Sequence, residues 1–135
     1  MKSHALFVLT WGLVLATSAQ AETYNCTAHP KFSEGRQFSA TVEVSRRGST
    51  AEGRLVSLQL SEPWPLPASC DNPSRQKSLT GRADRGEITL GPKGARGCSF
   101  VLYFPATSNE PALLSPRKSA KVFGEAPYLA SCLPR

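Results

Sequence analysis

Apolar side chains in this chain recur at every second position and nowhere at helical spacing over ten or more residues. Phe38, Ala40, Val42 and Val44 alternate with Ser39, Thr41, Glu43 and Ser45. A period of two places the first set on one face and the second on the other, which is the signature of a half-buried strand. Leu55 to Leu60 alternates again, with Val56, Leu58 and Leu60 assigned to one face. Arg46-Arg47-Gly48-Ser49 lies between the two runs, which are expected to form a hairpin with a long loop.

Further strands are expected at Ser78–Arg82 and Glu87–Leu90, turning through Asp84-Arg85-Gly86. Ser99–Phe104 is apolar on both faces, which suggests a central strand. Lys121-Val122-Phe123 and Tyr128–Cys132 complete the set, and Pro111 to Lys118 reads as irregular. The 11 Pro and 10 Gly leave few segments able to hold a long helix. About seven short strands with frequent turns predict an all-β domain, a small antiparallel sandwich or barrel.

Residues 1–21 read as a cleavable signal peptide: Lys2, an apolar run from Ala5 to Ala16, then Ala19-Gln20-Ala21 as the cleavage site. The run is too short for a transmembrane span, which needs about 20 apolar residues, and no later segment is long enough. The expected location is periplasmic or secreted. Residues 22–135 form one domain, with 15 Lys and Arg against 10 Asp and Glu once Lys2 is removed. Its four cysteines, Cys26, Cys70, Cys98 and Cys132, are an even set in a small exported chain and predict two disulfides. Pro65 to Cys70 and Pro127 to Cys132 share the pattern P-x-x-A-S-C. If these mark two related halves, Cys26–Cys70 and Cys98–Cys132 are the favoured pairs. Zinc is the competing reading, but no C-x-x-C pair exists, and neither a metal nor another cofactor is expected.

Catalytic equipment is sparse. The domain has one histidine, His29, which reads as a loop residue, and no nucleophile elbow or phosphate-cradling loop. No catalytic residue is assigned, and the reading leans away from an enzyme. The positive charge is the notable feature. Arg46, Arg47 and Arg54 flank the first hairpin, while Arg82, Arg85, Lys93 and Arg96 surround the second. Together with Trp64, framed by Pro63 and Pro65, they are the candidate binding residues for an anionic partner. Aromatic residues fall at core positions rather than on a stacking surface, so nucleic acid is not expected as a partner.

Tyr24-x-Cys26 followed by the alternating strand from Phe38 is similar to the opening of exported bacterial lysozyme inhibitors, which are small disulfide-bearing β-barrels. The similarity covers the N-terminal quarter. The Ser-Gly inhibitory loop of those proteins has no counterpart here, and a basic chain is poorly matched to a basic lysozyme. The resemblance therefore implies inhibition only as a class of function. Three readings stand: a non-enzymatic binding or protective module at the cell envelope, an inhibitor of a secreted hydrolase, and a small secreted enzyme or toxin. The partner would be an anionic envelope component or a secreted protein.

Overall fold

The computed structural model describes residues 12, 20–31, 33, 35–61, 73–93, 98–107, 109–118 and 128–135. They form eight antiparallel strands: β1 (Gln20–Ala28), β2 (Phe38–Arg47), β3 (Thr50–Leu60), β4 (Ser78–Asp84), β5 (Glu87–Pro92), β6 (Cys98–Phe104), β7 (Ala112–Lys118) and β8 (Tyr128–Pro134). Each strand pairs with the next, and β8 pairs back onto β1, so the sheet closes into an up-and-down barrel. Closure removes the sheet edges on which small β-domains aggregate.

The alternation read in the sequence is the inside–outside code of this barrel. Phe38, Ala40, Val42 and Val44 point inward from β2 and are buried, as are Leu79, Ile88, Leu90, Phe100, Leu102, Phe104 and Leu114 from later strands. Each large side chain so buried contributes about 1.5–3 kcal/mol. The outer faces of β2 to β4 carry Thr41, Glu43, Ser45, Glu52, Arg54, Thr80 and Arg82. Apolar inside and polar outside is the inverse of a membrane-spanning barrel. Among the described residues no helix is long and apolar enough to cross a membrane.

Four expectations are corrected. The first hairpin has no long loop: Arg47 pairs with Thr50 across Gly48-Ser49. Gly48 has a φ of 58°, the positive value that tight hairpin turns require and glycine supplies without strain. Val56 does not share a face with Leu58. Thr41 pairs with Ser57 and Val42 with Leu55, so Val56 is the extra residue of a β-bulge. Leu55 is therefore 3% exposed and Val56 45% exposed, because the bulge shifts the inward set from odd to even numbers.

The third correction is Ala112–Lys118, which is strand β7 and not irregular. Pro116 pairs opposite Phe100 of β6, at a position where β7 makes no described pairing with β8. The fourth concerns the sulfurs. Cys26 is bonded to Cys132, with their Cα atoms 4.0 Å apart. This replaces Cys26–Cys70 and Cys98–Cys132. The two residues are directly opposite in the β1–β8 register, so barrel closure, and not a repeat of halves, brings them together. Cys70 and the side chain of Cys98 lie outside the described residues, as do Lys121-Val122-Phe123 and, Gly12 apart, the apolar run from Ala5 to Ala16.

Candidate functional site

The two ends of the barrel differ. At one end the chain turns tightly through Gly48-Ser49 and Arg85-Gly86 and crosses from β6 to β7 through residues 105–111, and there β1 begins and β8 ends. At the other end lie Ala28, Phe38, Leu60, Ser78, Pro92, Cys98, Lys118 and Tyr128, the ends of strands that no two-residue turn joins.

Charge divides along the same axis. Among the described residues Lys31, Arg36, Arg75, Lys77 and Lys93 stand at the long-loop end, where no described acid lies. The hydrogen bond from Lys93 N to the Ser78 carbonyl, 3.3 Å, brings Lys93 beside the segment that carries Lys77. The tight-turn end holds Arg46, Arg47, Arg82, Arg85 and Arg135 against Glu22, Glu52, Asp84, Glu87 and Glu110, five of each sign. Between the ends, Arg54 and Glu43 form an ion pair at 4.0 Å. Among the residues whose side chains are described, the long-loop end therefore carries five cations and no acid, and the tight-turn end is balanced.

The sequence-derived candidates separate accordingly. Arg46 turns inward at the tight-turn end. Its Nη2 donates to Tyr24 Oη at 3.0 Å and to Glu22 Oε2 at 3.2 Å, and the Tyr24 hydroxyl donates to Glu22. Tyr24 packs on Phe104 with ring centroids 4.8 Å apart. Burial first, then the hydrogen bond to Glu22, holds the Tyr24 phenol above its usual range, with Arg46 opposing. This cluster stands at the tight-turn mouth of the barrel. Arg47 and Arg82 stand in one cross-strand row on either side of Thr50, and Arg85 occupies the next hairpin tip. Lys93 is at the opposite end, and Arg54 is paired midway. Trp64 and Arg96 lie outside the described residues. Of the described candidates, Arg46, Arg47, Arg82 and Arg85 share the tight-turn end, and Arg54 and Lys93 stand apart from them.

Sequence reasoning missed a groove at the long-loop mouth. One cavity of about 380 Å³ is lined by Thr27, Ala28, His29, Ser33, Arg36 and Phe38, among others. A second, of about 290 Å³, is lined by Ser39, Gln59, Leu60 and Ser61, and shares Gln37 and Phe38 with the first. The connection after β1 forms one wall. His29 N donates to the Leu129 carbonyl at 2.9 Å, and the buried Ser33 hydroxyl lies 3.3 Å from the same oxygen. Arg36 N donates to the Ser33 carbonyl at 2.8 Å. Gln37 and Ser61 exchange two bonds beyond the last strand pair. These residues are ordinary turn and strand-end types, so nothing in the sequence marks them. Among the described residues no cluster of three or more His, Cys, Asp or Glu side chains could hold a metal. No protein-family model, curated protein or solved structure matches the chain.

Proposed function

We propose that this chain is an exported, non-enzymatic binding module of the periplasm or cell envelope, and that its long-loop end binds an anionic partner. The uneven division of charge along the barrel axis carries the reading. A neutral end and an end five charges positive attract an anionic surface in one orientation. The disulfide supports an oxidising compartment, where such bonds persist. The barrel interior is filled by apolar side chains, so the mouth and outer faces are left for recognition. Binding to vesicles containing anionic lipid, or to an anionic polymer, should weaken steeply between low and physiological salt. Retention that is indifferent to salt would remove the electrostatic basis of the proposal.

Inhibition of a secreted hydrolase is the second reading. One observation favours it: Tyr24-x-Cys26 lies on the first strand of a disulfide-closed barrel, the architecture that the resemblance implies. The target would need an acidic surface. Trp64→Ala, in the Pro-flanked segment, would then abolish inhibition with thermal unfolding unchanged. Unaltered inhibition by that variant would discard the segment as the blocking element.

A further inference from the structure

Between the groove and the middle of the barrel, the outer face of β1, β2 and β3 is uncharged but rich in hydrogen-bonding groups, and one of its rows reaches β8. Ser131 of β8 pairs opposite Thr27 of β1, Thr27 opposite Ser39 of β2, and Ser39 opposite Gln59 of β3. The next row of the same face continues on three strands with Asn25, Thr41 and Ser57, where the Thr41 hydroxyl donates to Asn25 Oδ1 at 3.2 Å, and ends on β8 at the exposed Leu133. Thr27, Asn25, Ser57 and Gln59 are exposed. At the usual strand spacing the first row spans about 14 Å. Thr27, Ser39 and Gln59 also line the two cavities, so the row runs along the groove beside Arg36.

We infer that this row and groove form a binding track for an acid-bearing glycan, a sugar chain that carries carboxylate or phosphate groups. The inference rests on the proposed binding of an anionic partner at this end and names the partner's chemistry. A line of hydroxyl and amide groups can exchange donors and acceptors with sugar hydroxyls, as an apolar or densely charged face cannot. Hydroxyls alone would be satisfied equally by water, so Arg36 at the groove, with Lys77 and Lys93 further round the same end, supplies the affinity by attracting the acidic groups. A headgroup layer would engage the same cations but has no use for a lateral row extending down the barrel wall.

The test measures binding of the whole exported domain to polygalacturonate and to anionic phospholipid vesicles, at low salt. The variants are Thr27→Val with Gln59→Ala, and separately Lys77→Glu with Lys93→Glu. Thr27→Val keeps the shape and strand preference, and circular dichroism with a thermal melt confirms folding. The first pair should weaken polygalacturonate binding about tenfold, the loss of one or two net hydrogen bonds, and leave vesicle binding unchanged. The second pair should weaken both. Unchanged polygalacturonate affinity in the first pair would overturn the glycan track while the anionic-partner reading stands. Equal losses on glycan and vesicles in that pair would also overturn it. If the wild-type protein binds neither probe, the underlying reading fails with it.

Discussion

Cys26 on the first strand and Cys132 on the last face each other across the seam where the barrel closes, joined by a disulfide that spans 106 positions of sequence. The seam is the pairing with the greatest loop-closure cost, because its strands are furthest apart along the chain. Cross-linking it constrains the unfolded ensemble by about 4–5 kcal/mol on the chain-entropy model for a loop of ~100 residues. Substituting Cys26→Ala together with Cys132→Ala should lower the unfolding free energy by roughly that amount, read from the urea midpoint. A loss below about 1 kcal/mol would mean that β1–β8 pairing holds unaided. With these two sulfurs engaged, oxidation of the remaining pair within one chain can only join Cys70 to Cys98. Non-reduced peptide mapping should recover those two crosslinks, and a Cys26–Cys70 peptide would contradict the register.

Gly81 on β4 sits where a Cβ would stand 1.7 Å from the Thr89 carbonyl oxygen and 3.1 Å from Leu90 Cα. These are backbone atoms of the adjacent strand, so no rotamer change can relieve the contact. Gly81→Ala should cost more than about 3 kcal/mol or prevent folding. A thermal midpoint close to wild type would show that the β4–β5 ladder is looser than described.

Arg85 carries a φ of 49° and Gly86 one of 82°. Two successive positive values are what a two-residue hairpin of the I′ type demands, and asparagine fits its first position better than arginine. Arg85→Asn should raise stability by up to about 1 kcal/mol, seen as a higher denaturant midpoint. A decrease would indicate that the Arg85 side chain makes a stabilising contact.

Tyr24 links stability to alkaline pH. Its folded-state pKa is raised above 10.0, chiefly by burial and next by the hydrogen bond to Glu22. The unfolded chain then releases the phenolic proton first as pH climbs. The stabilising contribution is complete below the unfolded value and is lost as pH rises through the folded one. Urea midpoints should therefore fall above about pH 10, and Tyr24→Phe should flatten that decline. An identical slope in both proteins would place the alkaline sensitivity elsewhere.

How much of this was legible in the sequence follows from what local pattern can encode. The strands from Phe38, Ser78, Glu87 and Cys98 were readable because their inward residues are apolar and regularly spaced. β1 carries no such pattern, because its inward set includes Glu22 and Tyr24, whose polarity makes sense only beside Arg46 at the mouth. β7 was hidden by Pro116, and the face of Val56 by a bulge that resets the period. The disulfide was out of reach because Cys26 and Cys132 become neighbours only on closure. The charge groups read along the sequence mixed residues from both ends of the barrel. Only the strand order, which sends each strand end to one mouth, separates them.

The most direct test compares charge reversal at the two ends in one binding experiment on anionic vesicles across a salt series. Lys77→Glu with Lys93→Glu removes positive charge from the long-loop end, and Arg47→Glu with Arg82→Glu removes the same amount from the other. Binding through the long-loop end requires the first pair to lose most of the affinity and of its salt dependence, with the second staying near wild type. Equal losses from the two pairs would show that net charge alone governs attachment and that the barrel has no binding end.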